Sequence, residues 1–236
     1  YLSTTNSVLI TNPTPAVGST VTIEYTTTDP IYHYDLGKRA IGNNIGNYSV
    51  CEGYETVSGN KYSHAEGYYS KANGISSHAE GANCKANYFA SHAEGIQTTA
   101  DGMACHAEGY YTTANGYASH SEGYYTSAQG DYSHAEGYST MASGQYQHVQ
   151  GKYNIEDTEN KYAHIVGNGS KTGNQITRSN AHTLDWAGNA WYAGSVEGTG
   201  IILPSTTEGS TKRFLITVND SGTLAATEII EEATNE

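Results

Sequence analysis

The sequence predicts an all-β chain built as a narrow parallel β-roll, a β-solenoid of 14-residue coils, followed by small β-hairpin elements. Three observations predict it. Histidines stand at His64, His78, His92, His106, His120, His134 and His148, each fourteen residues after the last. Each fourteen divides into two sevens reading small, x, Ala, x, Gly, so that Ala65 and Ala72, Gly67 and Gly74 recur down the array. Within each seven the small residues alternate at period two. Alternation with glycine punctuation describes short strands joined by tight turns. A helix would carry these glycines at about 1 kcal/mol each.

Each coil is therefore two strands and two turns. Coils stacked at about 4.8 Å would make eight of them a rod of roughly 40 Å. Strict alternation in "SHAEG" puts Ser63, Ala65 and Gly67 on one face and His64 and Glu66 on the other. Only small residues fit between two closely apposed sheets, so the first set is expected inside and the His-Glu pair outside. On the other strand Lys71 and Asn73, Lys85 and Asn87, Thr99 and Asp101, Thr113 and Asn115 are the expected outward pairs. Ser121 replaces Ala, and Tyr88 stands in a glycine phase. Upstream, Val50, Glu52 and Gly53 hold the His, Glu and Gly phases. Cys51 falls in the Ala phase and Cys84 and Cys105 in the Ser/Thr phase, which makes all three inward and inert. Their spacing fits no metal site and their odd number no disulfide framework.

Composition bounds the function. The chain has 236 residues with 27 Gly, 4 Pro and 21 Tyr against 2 Phe, too few large aliphatics for one thick core. A net charge of −13 with only 11 Lys and Arg argues against nucleic acid and anionic membrane surfaces as partners. No apolar run reaches the length of a membrane span, so no membrane insertion is expected. The chain opens on Tyr1 and not Met, with no visible signal peptide, which points to a fragment or processed product.

The repeated Ser, His and Glu resemble an active site, but adjacent residues of a strand point to opposite faces. Ser63 and His64 thus make no nucleophile–base pair. The spacing H-x-E also differs from the helical H-E-x-x-H. No catalytic residue, cofactor or metal is expected; since His and Glu are metal ligands, a metal ladder is the lesser alternative. The His-Glu face is instead far more uniform than the other outer face. Solvent does not demand uniformity from coil to coil, whereas a symmetric partner does. The expected homotrimer contact comprises His64, Glu66, His78, Glu80, His92, Glu94, His106, Glu108, His120, Glu122, His134, Glu136 and His148. Buried there, such groups must hydrogen-bond one another. A solvated surface ladder is the bland alternative.

Corner residues after the first glycine read Tyr68 and Tyr69, Tyr110 and Tyr111, Tyr124 and Tyr125, and Tyr138. They are candidates for receptor binding, since tyrosine offers a flat apolar face and a hydroxyl to a neutral glycan or a protein. Coil-upon-coil stacking that seals the corner is the competing role.

Residues 1–35 read as an N-terminal connection with a strand at "TVTIEY", and 36–151 as the roll. Residues 152–200 form a transitional region after the register breaks at His148. There "HTLDWAGNAWYAG" reads as a hairpin with strands around Thr183–Trp186 and Ala190–Ala193. Trp186 and Trp191 are expected to pack a cap, with carbohydrate stacking as the sharper role. Residues 201–236 give a second hairpin turning at Asn219 to Gly222, and an acidic tail from Glu228.

The grammar small-x-Ala-x-Gly-x-x-Ser resembles the head repeats of trimeric autotransporter adhesins. That resemblance implies a left-handed, trimeric roll, with Val and Ile usual where His and Glu stand here. "SHAEG", with "HVQGKYNIED", "KYAHIVGNG" and "RSNAHTLDWAGNAWYAG", is similar to tail-fibre or minor structural proteins of bacteriophages of Gram-positive hosts. The likeness covers about Gly46 to Gly194. It implies a virion tail appendage outside the cell, with other tail proteins and a host surface glycan or protein as partners. A bacterial adhesin head is the alternative. An ice-binding solenoid fails because Thr98 and Thr99 are adjacent, not alternating.

Overall fold

A computed structural model describes residues 46–194 throughout, with strands at 7–11, 20–24, 33–39, 201–204, 213–218 and 224–228. Every described element is a strand, and among the described residues no helix is long and apolar enough to cross a membrane. The chain divides into two compact units, Tyr1–Ala193 and Gly194–Glu236.

The first unit is the expected β-solenoid. Five-residue strands such as His64–Tyr68, His78–Ala82 and His92–Ile96 pair in parallel, fourteen residues apart, His on His and Glu on Glu. Two-residue strands such as Lys71–Ala72 and Lys85–Ala86 form the second parallel sheet. The weak upstream register holds, with Val50 on His64, Glu52 on Glu66 and Gly53 on Gly67. The array runs from His33–Arg39, which pairs with Ser49–Ser58, to Tyr162–Asn168, which pairs with His148–Lys152. Antiparallel strands Asn180–Asp185 and Ala190–Tyr192 then close it.

The core is a column of alanines. Ala65, Ala72, Ala79, Ala86, Ala93, Ala100, Ala107 and Ala114 are all fully buried. The serine phase lines the corner, where Ser77 Oγ donates to Gly74 O at 2.8 Å and Ser91 Oγ to Tyr88 O at 2.8 Å. Cys51, Cys84 and Cys105 are buried as expected. Cys105 Sγ sits 2.9 Å from Gly102 O, and burial pushes its thiol up to about 11.

Within the coil one expectation fails. Gly67 does not join Ser63 and Ala65 inside; it is exposed at φ +95°, and its equivalents share that backbone. A Cβ on Gly67 would lie 2.2 Å from Gly81 O, so the strand bends where two coils come too close for a side chain. Alternation stops there, and the chain re-enters the interior at Ser70.

The corners lie in the left-handed region at every seventh residue without glycine, including Tyr62 (φ 59°), Tyr69 (57°), Ser76 (55°), Asn83 (59°) and Ala90 (52°). Each conformation costs about 1–2 kcal/mol. Coil-to-coil hydrogen bonds offset it, such as Tyr69 N to Tyr54 O at 2.8 Å and Ser76 N to Lys61 O at 2.9 Å.

At the N-terminus, Thr20–Glu24 forms the expected strand and pairs antiparallel with Ser7–Thr11. In the second unit Arg213–Val218 and Leu224–Glu228 form the expected hairpin, joined by an unexpected third strand, Ile201–Pro204. The tail beyond Glu228 lies outside the described residues.

Candidate functional site: the His-Glu face and its neighbours

Period-two alternation turns every imidazole and carboxylate of the "HAE" strands outward. The result is a ladder. His64 to His148 stack ring on ring at 4.7–4.8 Å, with planes within 13° of parallel. Glu66, Glu80, Glu94, Glu108 and Glu122 form a parallel row. With Gly67, Gly81, Gly95, Gly109 and Gly123 they line a trough of about 520 Å³.

Each Nε2 leans toward the carboxylate of the preceding coil. The separations are 3.6 Å for His78–Glu66, 4.0 Å for His92–Glu80, 3.8 Å for His106–Glu94 and 3.6 Å for His120–Glu108. The last two are 3.1 Å for His134–Glu122 and 3.4 Å for His148–Glu136. Of these six pairs His134–Glu122 alone makes a hydrogen bond; the Nε2 atoms of His64, His78, His92, His106, His120 and His148 are buried without a hydrogen-bond partner. The side chains are otherwise about one-third exposed, 34% for His92 and 31% for Glu94.

Burial lowers the pKa of His92 and of His106, and the neighbouring imidazole lowers each further, against the pull of Glu94 and Glu80. At Glu122 burial acts upward, but hydrogen bonds with Glu108 and His134 outweigh it and the carboxyl falls below its usual range.

The ladder contains triplets of potential metal ligands, including His92, Glu94 and His106, with donor atoms within 4.8 Å of one another. Zinc–nitrogen bonds of about 2.0–2.1 Å span roughly 4.2 Å at most. Parallel rings 4.7 Å apart would have to turn toward each other before one ion could bridge His92 and His106.

The serine of each apparent catalytic group faces the interior. Ser63 is 1% exposed and its hydroxyl donates to Asn60 O at 2.6 Å, away from His64.

The tyrosine corner both stacks and stays accessible. Tyr110, Tyr124 and Tyr138 form one column at 4.9 Å, and Tyr111 and Tyr125 a second at 4.7 Å. Tyr68 and Tyr69 meet edge to face at 4.5 Å. Ala82 and Ile96 interrupt the first column.

The opposite corner carries exposed apolar residues that sequence reading missed. Ile75, Phe89, Met103 and Tyr117 are all exposed. Their signal was their own fourteen-residue phase, hidden because the residue type changes at each step.

Trp186 lies in the turn of the closing hairpin and not in its strand; the first strand ends at Asp185. Asp185 Oδ1 accepts from Ala187 N and Asn189 N, at 2.9 and 2.8 Å, and so pulls residue 186 out of the ladder. Trp186 Nε1 donates to Asn160 O at 2.9 Å. Trp191 is on the second strand and is 55% exposed.

The fold and this face define a class: a parallel β-solenoid repeat protein with a uniform ionisable ladder on one outer face. Comparison with family models, curated proteins and solved structures gave no match for this chain.

Proposed function

We propose that this chain is a structural component of a bacteriophage tail fibre or receptor-binding appendage. Three copies associate through the His-Glu face into a rod that carries or supports attachment to the host cell surface. The observation that supports this reading is the contrast between the two outer faces. One repeats His and Glu in register over six consecutive coils from His64 to Glu136, while the other varies among Lys, Thr, Ser and Met. Repetition of one chemistry down a rod is what a symmetry axis selects.

Electron microscopy of intact particles bearing the chain, with sedimentation of the purified protein, tests the proposal. A trimer in solution and a rod on a virion tail are expected. A fibre on a bacterial surface would favour an adhesin head instead, and a stable monomer would overturn the assembly.

A further inference from the structure

The parallel array ends in a pocket that the repeats do not supply. Between His148 and His164 the chain carries two extra residues, and the insertion folds into a buried polar knot. Gln147 Nε2 donates to Asp157 Oδ2 and to Tyr162 O, both at 2.9 Å, and Tyr162 N donates to Asp157 Oδ2 at 2.8 Å. Gln147 is fully buried and Asp157 nearly so. This knot fixes Lys161 and Tyr162 on one wall. The closing hairpin fixes the other, through the Asp185 turn and the Trp186–Asn160 bond.

Between them lies a cavity of about 600 Å³, within the range of small-molecule sites. Its walls include Trp191, Tyr162, Lys161, Asn180, Asn189 and Asp185. Two wall residues are joined to each other, Asn189 Nδ2 donating to Asp185 Oδ2 at 2.9 Å. Asn180 Oδ1 accepts from Ile155 N at 2.8 Å, which leaves its amide hydrogens for a ligand. The Lys161 ammonium lies over the Tyr162 ring at 5.1 Å from the centroid.

We infer that this pocket binds a neutral saccharide. The exposed indole of Trp191 offers a flat apolar face to the C–H face of a pyranose, as rings with a polar tip do at wet interfaces, while the Tyr162 ring packs on the core and carries Lys161. Amide, carboxylate and ammonium groups supply both donors and acceptors, which hydroxyls require in pairs. One cation and one carboxylate leave the pocket without net charge, and the chain as a whole carries −13, so an anionic sugar is disfavoured. Orientation by rigid walls lowers the ordering cost that limits weak sugar binding. The inference deepens the proposed attachment role and rests on it for biological meaning, but not for its chemistry.

Saturation-transfer NMR on the full chain tests it, with glucose, galactose, N-acetylglucosamine and rhamnose as probes and glycerol phosphate as the anionic control. At least one pyranose should bind. Trp191→Ala should weaken that binding by about tenfold or more, as loss of a central aromatic anchor does. Lys71→Ala, exposed on the second sheet of the roll, should leave it unchanged. Trp191→Phe keeps an aromatic face and should retain partial binding, which separates lost stacking from lost folding. No signal with any pyranose, a signal indifferent to both Trp191 variants, or binding of glycerol phosphate alone overturns the inference. A tail rod that binds none of these sugars sinks the pocket and spares the proposed function. Binding by a chain absent from virions does the reverse.

Discussion

Ser121 Oγ lies 2.8 Å from Thr126 Oγ1 inside the roll, where a hydroxyl stands at the phase that the flanking coils fill with Ala107 and Ala135. In the coils below, where alanine stands at that phase, Thr98 and Thr112 Oγ1 are buried without a partner. The exception thus satisfies a group that is orphaned at Thr98 and Thr112, whereas the Thr140 hydroxyl donates to Glu136 O at 2.9 Å.

Ser121→Ala should therefore cost about 1 kcal/mol, because it strands the Thr126 hydroxyl. Thr126→Val in that background should recover most of the loss, since removing both partners is close to neutral. Ala107→Ser should be neutral or stabilising by giving Thr112 its partner. Urea denaturation of the parent, Ser121→Ala, Thr126→Val and the double variant completes a double-mutant cycle, with Ala107→Ser read beside it; additive costs at Ser121 and Thr126 would refute the coupling.

Gly109→Ala should destabilise the roll by more than about 3 kcal/mol. A Cβ there would sit 2.3 Å from Gly123 O, on a backbone at φ +103°. Loss of the cooperative thermal transition, or a large drop in its midpoint, is the expected reading by circular dichroism.

Ala104 occupies a left-handed corner at φ 55°. Ala104→Gly relieves the Cβ clash at some cost in unfolded-chain entropy, with a net gain of about 0.5–1 kcal/mol. A melting midpoint at or below that of the parent chain would contradict the assigned strain.

Acid should weaken the roll. The folded pKa values of His92 and His106 lie below the ordinary 6.5, so the unfolded chain binds more protons between the two values. Stability is then full above about pH 6.5 and falls as pH drops through the folded values. Glu122, lowered from 4.5, adds a loss in the same direction at still lower pH. Thermal melts at pH 7.5 and 5.5 should show the lower midpoint in acid; identical midpoints would count against burial of the ladder.

The pair His92 and Glu94 exchanged for Val and Ile tests the proposed contact. A packed interface should keep its oligomer after the exchange, and sedimentation velocity reads it directly. Folded monomers would point to another assembly surface, with the exposed corner of Ile75, Phe89, Met103 and Tyr117 the first to examine.

The sequence by itself determined the solenoid, its fourteen-residue coil, the inward alanines and cysteines, and the outward His-Glu pairs. Those follow from periodicity, because a strand alternates faces and a stacked coil repeats its neighbour. Gly67 escaped that logic: its outward kink depends on the backbone of Gly81 above it, a contact no pattern within one coil encodes. The corners escaped as well, since seven-residue spacing marks a turn without fixing the sign of φ at Tyr62 or Ala90. Trp186 fell outside its expected strand because the Asp185 side chain competes for the turn's amides. The pocket at Trp191 and Tyr162 was beyond reach, for it joins residues brought together only when an antiparallel hairpin closes a parallel array. Local repetition is legible in one dimension; where the repetition ends, long-range packing decides.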